Sequence, residues 1–111
     1  MKRLPVMEED RRSIGEWLAK WGGFVADVNF KPVRQMFADD VIAFGTRVEV
    51  VTSRAALEQE QWRQVWPTIE DYRNDLATLE AVVSPDRLMA MGALIFRSTG
   101  LHQDDSRFER T

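Results

Sequence analysis

The stretch Leu88 to Ser98, Leu-Met-Ala-Met-Gly-Ala-Leu-Ile-Phe-Arg-Ser, constrains the fold more than any other part of the chain. As a strand it puts Leu88, Ala90, Gly92, Leu94 and Phe96 on one face and Met89, Met91, Ala93 and Ile95 on the other. Both faces are apolar, so both ask for cover. Tyr72 to Val83 reads as a second long strand, joined to the first by a turn at Ser84-Pro85-Asp86. Helices can cover one face of such a pair. On the other face an exposed Met-rich surface would form a large apolar patch, and a second copy of the chain is the economical cover, which predicts a homodimer.

Helical periods precede these strands. Ile14, Trp17, Leu18, Trp21, Val25 and Val28 recur at helical spacing and predict a first helix capped by Asp10, with Gly22-Gly23 allowing close approach of another backbone. Lys31-Pro32 starts a short second helix, with Pro32 in its first position and Val33, Met36 and Phe37 facing inward, and Asp39-Asp40 stops it. Val41–Phe44 and Val48–Val51, separated by Gly45-Thr46, predict a short hairpin. Thr52-Ser53 caps a third helix, Arg54 to Trp66, buried along Leu57, Trp62, Val65 and Trp66 and ended by Pro67. Helices first and the main sheet afterwards is an α+β arrangement.

A chain of 111 residues, 44% hydrophobic and 30% charged, has room for one domain and one core, and no repeat or linker divides it. A net charge of -3 offers no electrostatic footprint for nucleic acid or anionic lipid, so neither is expected as a partner. The absence of cysteine excludes disulfides, thiolate metal sites and cysteine nucleophiles. The basic start Met1-Lys2-Arg3 reaches Glu8-Glu9-Asp10 before an apolar stretch develops, so no signal peptide is expected and a cytoplasmic location is the default. The longest apolar run, Leu88 to Phe96, is far short of the roughly 20 residues of a membrane-spanning helix.

Candidate chemistry is sparse. Asp39-Asp40 are paired carboxylates, and in an apolar mouth one of them, Asp40, would serve acid–base work; ending a helix, they equally suit bonding to local backbone N–H groups. His102, the single histidine, lies in the polar turn Leu101-His102-Gln103-Asp104-Asp105-Ser106, where an exposed loop role suffices and no metal site is indicated. No zinc-protease, nucleophile-elbow or phosphate-loop motif is present. Glu60 and Arg63 are spaced for a weak pair on a solvated helix face. Trp17, Trp21, Trp62 and Trp66, with Phe37, Phe44 and Tyr72, are the feature that stands out. They either pack as an ordinary core or line a cavity for a flat hydrophobic molecule, with Tyr72 and Asn74 as its orienting polar groups.

The order of elements, the phrase Phe37-Ala38-Asp39-Asp40-Val41-Ile42 ahead of a β run, and the stretches Glu60 to Ile69 and Val83-Ser84-Pro85-Asp86 resemble the nuclear transport factor 2-like superfamily. The likeness spans Ile14 to Arg110 and is closest to the SnoaL-like and ketosteroid isomerase branch, in a bacterial subgroup. It implies a cone-shaped α+β barrel of cystatin-like type: a curved antiparallel sheet wrapped around N-terminal helices, an apolar pocket between them, and dimerisation through the sheet's outer face. It also implies a single SnoaL-like domain, 1–111, short of the family's last strands, and no cofactor. The catalytic residues do not carry over. The isomerase base falls on Gly45, which has no side chain, the helix 1 tyrosine falls on Trp21, and the carboxylic acid donor falls past Thr111. The expectation is therefore an aromatic-lined small-molecule-binding protein, with SnoaL-like isomerase, cyclase or dehydratase activity on a hydrophobic substrate left open. The alternative is a noncatalytic dimerising or protein-interaction module with a filled pocket.

Overall fold

The computed structural model describes residues 6–102, 104 and 106–111. The start Met1 to Pro5, and Gln103 and Asp105 of the turn around His102, lie outside the described residues. Helix α1 (Glu8–Ala26) opens with three acids in its first turn, where they oppose the positive end of the helix dipole. Asp10 is not the cap: Met7 holds that position without a side-chain bond, and Asp10 instead receives two 2.9 Å hydrogen bonds from Arg87 in the β-turn region. The helix runs through Gly22-Gly23 and ends before Val28, contrary to the stripe expected from spacing. The Asn29 N–H bonds to the Phe24 carbonyl and the Val28 N–H to that of Val25, a Schellman closure that places Val28 at φ 53°.

Helix α2 (Phe30–Arg34) begins two residues before Pro32, so the proline sits inside the first turn rather than at its first position. There a missing N–H costs nothing, because the early N–H groups of a helix have no intrahelical acceptor. The predicted hairpin does not form. Val41 to Val51 is a loop closed by a single bridge, Ala43 with Val51 (3.0 and 2.8 Å), and Ile42, Phe44 and Val50 stand exposed. Two short strands with no third strand and little to bury against have little stability of their own.

The third helical stretch is interrupted. It comprises α3 (Arg54–Leu57), a π turn (Glu58–Trp62), α4 (Arg63–Val65) and a 3₁₀ turn (Trp66–Thr68). Ser53 caps it, its Oγ accepting from the Ala56 N–H at 3.1 Å. Leu57, Trp62, Val65 and Trp66 are all buried. The step from Leu57 to Trp62 is five residues where a regular helix repeats after three or four, and the π turn supplies the extra residue. Arg63 pairs with Glu58 at 2.7 Å; the expected Glu60 pairing is not made.

Strands β1 (Ile69–Val83), β2 (Ala90–Leu101) and β3 (Arg107–Arg110) form one antiparallel sheet in the order β1-β2-β3. The architecture is α+β, helices followed by an open three-stranded sheet. Between Asp75 and Glu80 the register slips, and the released groups find partners. The Leu79 carbonyl accepts from Arg11 of α1 (2.7 Å), and the Thr78 Oγ1 accepts from the Ile95 N–H (2.9 Å) and donates to the Asp75 carbonyl (2.7 Å). Such a bulge bends the strand. Helix α1 crosses the face bearing Gly92, whose missing Cβ leaves room for the Ile14 side chain, 2.8 Å from where that atom would stand.

The opposite face is uncovered. Met89 and Met91 are 75% and 64% exposed, and Ile95 lies open beside them. The chain measures 49 × 30 × 27 Å, with a radius of gyration of 15.3 Å. A close-packed chain of this length would give about 13 Å. Among the described residues no helix is long and apolar enough to cross a membrane.

Candidate functional site

Where α1, the interrupted helix and the sheet converge they leave a cavity of about 470 Å³. A third of its lining is aromatic, with rings in edge and stacking contact, and Phe30 stands outside the lining behind Trp66. Phe30 stacks on Trp66 (centroids 5.1 Å), Trp66 on Trp62 (5.3 Å), and Trp62 meets Phe37 (5.1 Å). Phe37 leads to Trp21 (6.5 Å), Trp21 to Tyr72 (6.1 Å, edge-on) and Tyr72 to Phe96 (5.5 Å). The i,i+4 spacing of Trp62 and Trp66 puts both on one helix face, and the π turn aims that face inward. Of the residues singled out from sequence, Trp21, Phe37, Phe44, Trp62, Trp66, Tyr72 and Asn74 line the cavity.

Two expected residues do not. Trp17 is 40% exposed and lies behind the wall, stacked on Trp21 (6.5 Å) and edge-on to Phe37 (5.5 Å). The i,i+4 spacing from Trp21 shares a helix face, but one turn along α1 carries Trp17 past the cavity's end. Asp40 is exposed and lines no part of it. Its neighbour Asp39 pairs with Arg54 at 2.6 Å, and Arg54 also donates to the carbonyls of Arg34 and Phe37, tying the end of α2 to the start of α3. Asp39 thus belongs to a structural tie outside the site.

Inside, polar groups are few and organised. The Tyr72 hydroxyl donates to Asn74 Oδ1 (2.9 Å), and Asn74 Nδ2 donates to the Leu18 carbonyl (2.9 Å). Gly22 makes room for that amide, since a Cβ there would stand 2.9 Å from Asn74 Nδ2. Burial pushes the Tyr72 phenol up to about 12, against a smaller opposing pull from the Arg110 charge. The phenol therefore stays neutral at physiological pH and serves as a hydrogen-bonding group. Trp21 Nε1 is buried without a partner, an arrangement that costs about 1–3 kcal/mol in a packed interior.

Gln61, Phe96 and Arg110 line the cavity without having been marked by sequence. Gln61 ties the loop to the interrupted helix: its Oε1 accepts from the Arg47 N–H (2.7 Å) and its Nε2 donates to Thr46 Oγ1 (3.1 Å), where Gly45 and Thr46 line the cavity. Gly45 leaves room for that amide, because a Cβ there would stand 2.6 Å from Gln61 Cδ and push the side chain aside. The five-residue gap between Leu57 and Trp62 is the one signal that pointed toward this turn. Behind the wall, Glu58 is held between Arg34 (2.6 and 2.9 Å) and Arg63 (2.7 Å), which keep its carboxyl at about 2, well below the usual carboxylate range. Among the described residues no group of three His, Asp or Glu side chains is arranged to hold a metal ion, and His102 is exposed, packed on Phe108 (4.5 Å). Comparison of the chain with family models, with curated proteins and with solved structures finds no match.

Proposed function

We propose that this chain is a small-molecule-binding domain of the SnoaL-like type whose cavity receives a flat hydrophobic molecule. The observation that carries the reading is the aromatic-lined space of about 470 Å³, in the size range of sites for compact organic ligands. A bulged sheet bent over α1 supports the cone-like architecture that the sequence resemblance implies. Binding without turnover is the preferred activity. Among the described residues no carboxylate or imidazole lines the cavity, and a phenol raised to about 12 gives up its proton too reluctantly to serve as a base at neutral pH. Isomerase, cyclase or dehydratase chemistry would have to rest on Tyr72 as a hydrogen-bond donor to a developing oxyanion.

The test is intrinsic tryptophan fluorescence during titration with steroids, polyketides and terpenoids. A saturable shift is expected in the parent protein, weakened in Trp21→Ala and in Tyr72→Phe. Flat titrations with every compound would refute the reading.

The exposed Met89, Met91 and Ile95 favour a second element of the proposal, a homodimer packed through the sheet's outer face. Met91→Glu places a charge in that contact. Sedimentation should show a dimer at micromolar concentration for the parent chain and a monomer for the variant; a monomeric parent refutes it.

A further inference from the structure

We infer that the ligand of this cavity is a planar hydrophobic acid, its ring system held among the tryptophans and its single carboxylate held by Arg110. The inference rests on the pocket reading above and adds the chemical class of the occupant. Among the described residues, Arg110 is the one charged residue that lines the cavity. Arg34, Arg54, Arg63, Arg87 and Arg107 each lie on a carboxylate; among the described residues Arg110, like Arg12, Arg47 and Arg97, makes no ion pair, and unlike them it lines the cavity. It is half-buried and lies over the Phe96 ring, its guanidinium carbon 6.0 Å from the ring centre. A ring face leaves the guanidinium edge free, and that edge is the part that matches a carboxylate through two parallel N–H donors.

Register places this cation near the polar groups of the site. Arg110 of β3 is opposite Ser98 of β2, and directly opposed residues share a face of the sheet. That face also carries Phe96, two residues along β2, and Asn74, the partner of Phe96 on β1. The positive charge is close enough to bear on the Tyr72 phenol. Cation, phenol and amide thus cluster together, while Trp62, Trp66 and Phe37 supply a nonpolar remainder. A ligand matching this division has one acceptor-rich end and a flat body. One cation with no helix N-terminus or Gly-rich loop beside it suits a monoanion better than a phosphate, which such backbone donors would accompany.

Matched pairs test the inference: 2-naphthoate against 2-naphthylmethanol, and 4-biphenylcarboxylate against 4-biphenylmethanol, titrated by calorimetry into the parent chain and into Arg110→Gln. Each acid should bind the parent about tenfold more tightly than its alcohol, the order of a charge-assisted bidentate contact. In Arg110→Gln the acid should lose this advantage and fall behind the alcohol, because a carboxylate is then stripped of water without a counter-charge, while the uncharged alcohol loses much less. The ratio within the parent chain does not depend on how the variant folds. Alcohols that bind the parent as well as the acids, or an acid preference that survives in a folded Arg110→Gln, would overturn the carboxylate assignment and leave the pocket standing. No heat with either member of both pairs would overturn the assignment together with the pocket reading.

Discussion

Replacing Glu58 with glutamine tests how the cavity wall is held. The carboxylate bridges α2 to α4 through Arg34 and Arg63, is only 8% exposed, and begins the π turn that carries Gln61 and Trp62 inward. Holding its carboxyl at about 2 instead of 4.5 corresponds to an upper figure of about 3 kcal/mol. The two arginines are 41% and 40% exposed, so they turn into water when the carboxylate is removed, and solvent screens the attraction. The net loss at pH 7 is therefore about 1–2 kcal/mol. Because the folded-state pKa is depressed, the contribution is complete above pH 4.5 and disappears as pH falls toward 2. Urea unfolding of the parent and Glu58→Gln at pH 7, 4 and 2.5 should give a stability gap that shrinks on acidification, with a red-shifted Trp62 emission in the variant at pH 7. A gap of constant size would mean that shape, not charge, is at stake. No gap at pH 7 would refute the bridge altogether.

Other substitutions probe separate features. Val28→Gly should raise stability by about 0.5–1 kcal/mol, seen as a higher Tm, because a β-branched residue at φ 53° is strained beyond glycine's entropic cost; an unchanged or lower Tm contradicts it. Gly45→Ala should displace the Gln61 amide and release the loop, giving faster tryptic cleavage at Arg47 with less than about 1 kcal/mol lost, since the bonds are exposed; parent-like cleavage counts against the tie. Gly92→Val should cost about 1–3 kcal/mol in chemical denaturation by colliding with Ile14 and Leu18, and full stability would mean that α1 does not cross this face.

Legibility followed the range of the interactions. The Ser53 cap, the two long strands and the turn between them rest on neighbours a few residues apart, and all form, although β1 starts at Ile69, before the expected Tyr72, and β2 runs Ala90–Leu101 rather than Leu88 to Ser98. The 41–51 segment carries strand-like residues but lacks a third strand to lean on, so its pattern misleads. Trp17 and Trp21 are indistinguishable by spacing, yet one lines the cavity and the other backs it.

What the residue order determined by itself was the α+β succession, the helical faces and the set of aromatic side chains, because backbone period and side-chain alternation are local properties. Tertiary structure alone decided that the rings line one cavity, that Arg34 and Arg63 converge on Glu58, and that Arg110, 38 residues after Tyr72, lines the same cavity. Those outcomes depend on how a bulged strand bends and which register β3 adopts on β2, and both arise from contacts between segments far apart in the chain.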